Sequence, residues 1–345
     1  MSATDPPNEG KPPSVINKIF SQVRWHPLAL VLGAALSLLL IWLAFRGVSW
    51  EELESALAGL NWALLALSLL MSIIGTLLRA GRWRLLFSPD QAGLPFFHLV
   101  GLLFISQMLN LLIPARVGEL ARITLLGEQP PGRTLGTVAV EKLLDLLTLL
   151  AFLLVLPLAV SLPAWFQSFR RSFLVLASAA FGLSLLLFFI KEPLIRWLGW
   201  VLELLPPKWG PHRLHQALAQ ALAGLEVFRA TGVGLGLQAW SFAVWGWGAL
   251  VNFVLFRALG MDLPLSAAVF LLLVLQVGIS VPNIPGKLGV FQWITILALS
   301  VFGVGRELAL SYSIMLYLVA FGPLIIFGTI FGVKEGANKL KVESL

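Results

Sequence analysis

Long apolar runs that alternate with short polar segments are the dominant pattern along the chain. A helix that crosses the hydrocarbon core of a bilayer needs about 20 predominantly apolar residues, and several runs approach or reach that length. The pattern predicts an all-α, polytopic helical membrane protein with about six full spans and two re-entrant helical hairpins in two inverted-topology repeats. The full spans are predicted over residues 28–45, 62–78, 134–158, 173–190, 232–256 and 308–332.

Two further apolar stretches, over 94–126 and 265–301, are interrupted by proline, glycine and a cation. The first contains Ile113-Pro-Ala-Arg-Val-Gly118 and the second contains Ile284-Pro-Gly-Lys-Leu-Gly289, so the two motifs match in register. Proline removes a backbone donor, and non-helical backbone at membrane depth must be buried in protein or line water. We therefore interpret each stretch as a hairpin of two short helices. The alternative for the first is an ordinary cytoplasmic loop whose arginines lie at the headgroups.

The paired motifs divide the chain into two halves. Each half is predicted to make three full crossings, and since this number is odd, the halves are inverted relative to each other. Inverted repeats with interrupted helices are typical of transporters that bind their substrate near the midplane. The predicted order is a disordered cytoplasmic tail (1–27), a first membrane repeat (28–162), a second membrane repeat (163–333, with a cytoplasmic amphipathic segment over 191–231) and a cytoplasmic tail (334–345).

Composition and charge support a membrane location. The chain is 58% hydrophobic and 12% charged, whereas a soluble domain carries about 25% charged residues. The net charge of +7 suits binding to an anionic lipid surface. The sequence shows no soluble basic domain that would indicate binding to nucleic acid instead. Lysines and arginines place both termini on the cytoplasmic side of a cell membrane, which we take to be a bacterial inner or plasma membrane. The chain has no cysteine, which excludes disulfides, thiolate metal sites and a cysteine nucleophile.

Charged side chains within the apolar sequence are the candidate chemistry. A charge at membrane depth costs about 3 kcal/mol or more, so it faces a cavity or a partner. Arg116, Arg122 and Lys287 are candidates to hold a phosphate headgroup, because guanidinium binds phosphate in a bidentate fork. The alternative is that they are interface anchors. Glu119 would then neutralise Arg122.

The predicted span over 134–158 carries a polar stripe that contains two carboxylates, Glu141 and Asp145. They could relay protons, bind a cationic group, or act as a metal or acid–base pair. A structural salt bridge with Lys142 or Arg116 is the alternative, and Lys142 is three residues before Asp145. The arginines at 79, 82 and 84 are typical of a cytoplasmic edge, although Arg79 and Arg82 share a helix face that could reach the site. Glycines at 232, 234 and 236 lack a P-loop lysine, which disfavours an ATP-driven pump.

Four segments resemble the lysylphosphatidylglycerol synthase/flippase-like transmembrane family, over nearly the whole chain after the first tail. They are Arg79-Ala-Gly-Arg-Trp, Pro114-Ala-Arg-Val-Gly-Glu with Arg122, Glu141-Lys-Leu-Leu-Asp145, and Pro285-Gly-Lys-Leu-Gly-Val-Phe. The resemblance implies a domain that moves a lipid product across the membrane. No segment resembles the soluble synthase domain, so lipid aminoacylation is not expected. The family commonly has Arg where Lys142 stands and Glu where Gln292 stands, and the second difference removes an acidic group from the second hairpin.

The leading interpretation is an integral membrane lipid translocase for an anionic phospholipid or a polyprenyl-phosphate-linked lipid. The alternatives are a membrane-embedded transferase that uses Glu141 and Asp145, and a non-transporting scaffold of an envelope-synthesis complex. No catalytic residue, metal or cofactor is assigned, the predicted partner is a membrane lipid, and oligomerisation is left open. Motif matches and spacing together predict the substrate-binding residues Arg79, Arg82, Asn110, Pro114, Arg116, Gly118, Glu119, Arg122, Glu141, Asp145, Pro285, Gly286, Lys287 and Gly289.

Overall fold

A computed structural model gives the fold of residues 58–87, 94–113, 117–127, 131–159, 231–278 and 285–343, with isolated residues in 38–54 and 175–200. All regular structure in this described part is helical. In chain order the helices are α1 (Trp62–Leu85), α2 (Phe96–Leu112), α3 (Val117–Leu125), α4 (Pro131–Ala159), α5 (Thr231–Ala258), α6 (Leu265–Gly278), a 3₁₀ turn (Pro285–Lys287), α7 (Val290–Ser300) and α8 (Arg306–Glu343).

Three helices of the described part are long and apolar enough to cross a membrane, over Trp62–Leu85, Gly234–Ala258 and Arg306–Gly336. They coincide with three of the predicted spans. The predicted span over 134–158 is helical throughout, within α4, but α4 is not among the three. The predicted spans over 28–45 and 173–190, the tail over 1–27 and the segment over 191–231 lie largely or wholly outside the described residues.

Helices α1 and α5 pack against each other in opposite directions. The backbone N–H of Asn61, which caps α1, donates to the carbonyl of Ala258 at the end of α5, at 2.8 Å. Further along, the indole N–H groups of two tryptophans of α5 donate to carbonyl oxygens of α1. Trp247 donates to Met71 at 2.7 Å, and Trp240 donates to Leu78 at 2.9 Å. These bonds fix the register between the two helices.

The stretch predicted as the first hairpin forms two antiparallel helices, α2 and α3. Asn110 Oδ1 accepts a hydrogen bond from the backbone N–H of Gly118 at 2.8 Å. Earlier on α2, Ser106 Oγ accepts from Arg122 Nε of α3 at 3.0 Å. Later residues of α2 therefore lie beside earlier residues of α3, as two antiparallel helices require. The connecting Pro114 and Arg116 lie outside the described residues, and the re-entrant insertion of this hairpin stays a prediction.

The second predicted hairpin likewise forms two antiparallel helices, α6 and α7. The rings of Phe270 and Phe302 lie 5.5 Å apart at its open end. At the other end a Cβ on Gly278 would lie only 2.1 Å from Ile294 Cδ1, so the side chain of Ile294 packs directly on the backbone of α6. The 3₁₀ turn between them contacts α2. The two hairpins therefore meet inside the fold.

Local backbone chemistry shapes the turn that precedes α7. Gly286 and Gly289 have φ of 83° and 82°, a region that glycine enters without steric cost. The hydroxyl of Tyr317 donates to the carbonyl of Gly286 at 2.6 Å. The side chain of Gln292 accepts from the backbone N–H of Gly289 at 2.8 Å. The glutamine at this position therefore caps the start of α7.

The apolar core of the described part has two clusters. One is built mainly from α1, α2 and α4 and includes Trp83, Phe104 and Leu144. The other is built mainly from α5 to α8 and includes Phe291 and Leu310. Helix α8 lies along α2, and α5 lies along both α1 and α4. Polar side chains of α1, α3, α4 and α5 meet beside the first cluster.

Candidate functional site

Four charged side chains from α1, α3 and α4 form one buried group, which we call the ionic network: Arg82, Arg122, Glu141 and Asp145. Arg82 Nη1 lies 2.7 Å from Asp145 Oδ1, and Arg82 Nη2 lies 3.4 Å from Glu141 Oε1. Arg122 Nη1 lies 2.8 Å from Glu141 Oε2. Arg82, Arg122 and Glu141 are 1%, 5% and 7% exposed, and Asp145 is 17% exposed. Glu141 is therefore shared by both arginines.

The positions of these residues follow from helix geometry. Glu141 and Asp145 are four residues apart, which places both carboxylates on one face of α4. Arg82 lies in the last turn of α1, and Arg122 lies in the last turn of α3. The hairpin returns α3 alongside α2, and this return brings Arg122 to α4. Each cation thus arrives from a different helix.

Neutral polar groups add hydrogen bonds to Arg82 and Asp145, although Arg82 Nε is buried and has no hydrogen-bond partner in the described part of the chain. Ser241 Oγ of α5 accepts from Arg82 Nη1 at 2.9 Å. The indole N–H of Trp245, one turn further on α5, donates to Asp145 Oδ1 at 2.8 Å. Hydrogen bonds of this kind offset the desolvation of a buried ion pair. Neither Ser241 nor Trp245 was predicted from the sequence, although their spacing of four residues within an apolar span is a signal that could have been used.

Arg122 is held by the hairpin and by an aromatic ring. Its Nε donates to Ser106 Oγ, and its Cζ lies 5.2 Å from the ring centroid of Trp83. The indole N–H of Trp83 donates to Thr137 Oγ1 of α4 at 3.1 Å. The face and the edge of one ring therefore position Arg122 against the helix that carries Glu141.

Arg79 lies one turn before Arg82 on the same helix and is paired differently. Its Nη1 donates to Gln107 Oε1 at 3.0 Å. No carboxylate in the described part of the chain lies within 4.0 Å of its guanidinium. Among the described residues, three arginines and two carboxylates are therefore gathered here, which leaves an excess of one positive charge. The half-buried Arg79 is the cation whose partner is neutral.

Several sequence-based pairings are corrected by the structure. Lys142 Nζ lies 3.1 Å from Glu119 Oε1, so Lys142 does not pair with Asp145 and Glu119 does not neutralise Arg122. Arg82 is almost fully buried, so it is not an exposed residue of a cytoplasmic edge. The reason in each case is that α1 and α3 both pack against the polar face of α4. Arg82 and Arg122 pair with the carboxylates of α4, and Lys142 pairs with the more exposed Glu119.

The predicted site residues fall into two groups. Arg79, Arg82, Glu119, Arg122, Glu141 and Asp145 lie in or beside the ionic network, and Asn110 and Gly118 brace the hairpin that carries Arg122. Pro285, Gly286, Lys287 and Gly289 form the tip of the second hairpin, and Lys287 Nζ lies 5.9 Å from the ring centroid of Phe321. Within the described residues no group of three or more His, Asp or Glu side chains could hold a metal ion.

Comparison with known protein families identifies a match that covers most of the chain. A family model described as "Lysylphosphatidylglycerol synthase TM region" matches residues 30–328. A comparison with curated proteins gave no match. The matched range contains the whole ionic network and both hairpins.

Proposed function

Since this chain belongs to the family of the lysylphosphatidylglycerol synthase transmembrane region, we propose that it translocates an anionic lipid across the membrane. The family is a membrane domain associated with lipid-related function. The proposed substrate is a phospholipid or a polyprenyl-phosphate-linked lipid with an anionic headgroup. The headgroup binds beside the ionic network at Arg79, and the acyl chains stay in the bilayer.

The observation that carries this proposal is the excess of one positive charge at the ionic network. An uncompensated cation at membrane depth is costly, and such residues mark pathways for ions and substrates. The phosphate of an anionic lipid would supply the missing negative charge. A guanidinium can also hold two phosphate oxygens at once, which favours arginine over lysine for this task. Arg79 meets this requirement because Gln107 occupies only part of its fork of five N–H donors.

The ionic network is suited to open and close with the lipid. It joins α1, α3 and α4, of which α3 belongs to a hairpin with a break at its tip. A phosphate that competes with Glu141 for Arg122 would loosen the buried end of the contact between α3 and α4, while Lys142 still pairs with Glu119 and Arg82 remains paired with Asp145. Breaking one ion pair and forming another keeps the charges compensated throughout. Translocation then alternates the exposure of the headgroup between the two faces of the membrane.

The transferase alternative is less well supported by the same contacts. A general base must be free to accept a proton from the reacting group. Glu141 is ion-paired to two arginines, and Asp145 accepts from both Arg82 and Trp245. Both carboxylates are thus engaged in holding helices together. Their arrangement fits a structural gate better than an acid–base pair.

A flipping assay tests the proposal. Purified protein is placed in liposomes that contain phosphatidylglycerol with a fluorescent group on one acyl chain, with and without a proton gradient. An external quencher then measures the lipid that reaches the outer leaflet. We expect the wild-type protein to raise the accessible fraction, and Arg79→Gln to lower the rate by about tenfold, the loss of one charge-assisted hydrogen bond. Glutamine keeps an amide donor but is two bonds shorter than arginine, so thermal unfolding of Arg79→Gln is compared with that of the wild type to show that the fold is preserved.

Two controls make the flipping assay specific. Arg257→Gln removes an arginine from an exposed pair with Asp262, and translocation should be unchanged. Arg79→Lys should retain part of the rate, because it keeps the charge but loses the fork. Mass spectrometry of the recovered lipid separates transport from chemistry. A new lipid mass without any change in accessibility would support the transferase, and an inert wild-type protein under both conditions would contradict translocation.

A further inference from the structure

A cavity lies between the start of α2 and the later part of α8. Its volume is about 220 Å³. Its inner part is lined by Gly101, Leu102 and Ile105 of α2 and by Phe331 of α8. No residue of the ionic network is among those that line the cavity. The cavity is therefore separate from the ionic network.

The walls of the cavity are set by close packing of α2 and α8. A Cβ on Gly101 would lie 2.9 Å from Phe331 Cδ1, so this ring rests directly on the backbone of α2. The same ring stacks on Phe104, with centroids 6.1 Å apart and an interplanar angle of 12°. From His98 at the mouth to Ile105 at the inner end, α2 rises by about 10 Å. This length of apolar wall is enough to accommodate the first part of an acyl chain.

The mouth of the cavity carries charges of both signs. His98 Nδ1 lies 4.0 Å from Glu335 Oε2, and the exposed Lys334 is the neighbouring residue on α8. Phe97, which is 74% exposed, stands beside them. At this level α8 changes from an apolar run to charged residues, and aromatic side chains are enriched at such membrane–water interfaces. The mouth therefore lies where lipid headgroups lie.

We propose that this cavity binds one zwitterionic phospholipid of the phosphoethanolamine class. The carboxylate of Glu335 receives the ammonium group, and Lys334 together with His98 receives the phosphate. The acyl chain lies along Phe331, between the walls described above. Charge complementarity favours this zwitterionic lipid over an anionic lipid. An anionic headgroup would leave Glu335 opposite a phosphate and without an ammonium partner. The ionic network, with its excess positive charge, has the opposite preference.

Native mass spectrometry of the full chain tests this second site. Protein purified free of lipid is incubated with equal amounts of phosphatidylethanolamine and phosphatidylglycerol, and the bound lipid of each mass is counted. We expect Glu335→Gln to lower the affinity for phosphatidylethanolamine by about tenfold, the effect of losing one charge-assisted hydrogen bond. Lys334→Gln should likewise lower the affinity for phosphatidylethanolamine. Both variants should leave phosphatidylglycerol binding as in the wild type.

Matched variants separate this proposal from the proposed translocation. Asp262→Asn removes a carboxylate from an exposed position and should leave both lipids bound. Arg79→Gln should weaken the binding of phosphatidylglycerol and leave the binding of phosphatidylethanolamine unchanged. The two proposed sites can therefore be tested independently. Soluble glycerophosphoethanolamine should not displace the bound lipid, since it lacks the acyl chain. Displacement of the bound lipid by glycerophosphoethanolamine would overturn the proposal. So would a Glu335→Gln variant that lowers the affinity for both lipids equally, or one that binds phosphatidylethanolamine as well as Asp262→Asn does.

Discussion

At the scale of single residues, Arg82 holds the ionic network together. It pairs with both carboxylates and donates to Ser241, and it is 1% exposed. Taking two charges out of water costs several kcal/mol per ion, and their attraction offsets this only when the geometry is good and the remaining donors are satisfied. The pair distances of 2.7 to 3.4 Å meet the first condition, and the second is met for most donors, Arg82 Nε being the buried exception among the described residues. It is therefore stable as a set, and removal of one member leaves another charge buried without its partner.

Arg122→Ala tests this dependence on stability. Glu141 would lose the closer of its two cations while staying buried, and the expected loss is about 3–5 kcal/mol. The measurement is thermal unfolding in detergent, followed by the fluorescence of the tryptophans. The double variant Arg122→Leu with Glu141→Leu should recover part of the loss, because no charge is then left alone. Arg257→Ala, in an exposed pair, should change stability by less than about 1 kcal/mol. An equal effect of Arg122→Ala and Arg257→Ala would contradict a buried network.

At the scale of elements, the apolar pattern predicted the helices well and their partners poorly. The hairpin predicted over 94–126 has the helices Phe96–Leu112 and Val117–Leu125, and the one predicted over 265–301 has the helices Leu265–Gly278 and Val290–Ser300. Proline and glycine within an apolar run are local signals, so the breaks could be read directly. The ion pairs of the ionic network join residues as far as 63 positions apart, as with Arg82 and Asp145. Helical periodicity tells which face is polar, but not which neighbouring helix will meet that face.

Gly118 is the element-scale position whose substitution is most informative. A Cβ there would lie 1.8 Å from the carbonyl oxygen of Ser106 and 2.9 Å from Asn110 Cγ. Since the first contact is backbone, α3 must move away from α2 in Gly118→Ala. We expect a loss of about 1–3 kcal/mol, as for other overpacked sites, and reduced translocation because Arg122 moves with α3.

The matched control for Gly118 is a glycine of α5 with space around it. A Cβ on Gly246 would meet nothing within 4 Å. Because alanine is the better helix former, Gly246→Ala should raise stability by up to about 1 kcal/mol. Thermal unfolding of the two variants should therefore shift in opposite directions. A neutral Gly118→Ala would show that the two helices of the hairpin do not pack as closely as described.

At the scale of the whole molecule, the two halves pack in a reciprocal way. Helix α8, which ends the second half, contacts α1 and α2 at the start of the first half. Helix α4, at the end of the first half, contacts α5 and α6 in the same manner. A twofold relation between the halves would produce such reciprocal contacts, and the inverted repeat itself stays a prediction from the sequence.

The chemistry of the two halves differs although their packing corresponds. In the first half α4 buries Glu141 and Asp145 against arginines. In the second half α8 instead buries Tyr312, whose hydroxyl donates to Asn252 Oδ1 of α5 at 3.3 Å. Neutral groups of this kind carry no charge that an ionic substrate must match. The charged binding site is therefore proposed in the first half alone, while the second half supplies the supporting Ser241 and Trp245.

The inverted arrangement predicts which positions face each side of the membrane. The hydrogen bond from Asn61 to Ala258 places the end of α5 beside the start of α1, and the 24 residues of α1 span about 36 Å from there. At the far side, His98 and Glu335 place the start of α2 beside the end of α8. From the distribution of lysines and arginines along the sequence, this second side is predicted to face the cytoplasm.

Single-cysteine labelling checks this assignment without background, because the chain has no cysteine of its own. Asp262 is 92% exposed just after α5, so Asp262→Cys should react from outside intact cells with a membrane-impermeant maleimide. Thr124→Cys, at the end of the first hairpin, and Gly336→Cys, on α8, should react only after the membrane is opened. Both positions are exposed, and a Cβ on Gly336 meets nothing within 4 Å, so neither substitution disturbs packing. Labelling of Asp262→Cys and Gly336→Cys from the same side would mean that the hairpins do not approach each other from opposite faces, and a site reached alternately from both faces would lose its structural basis.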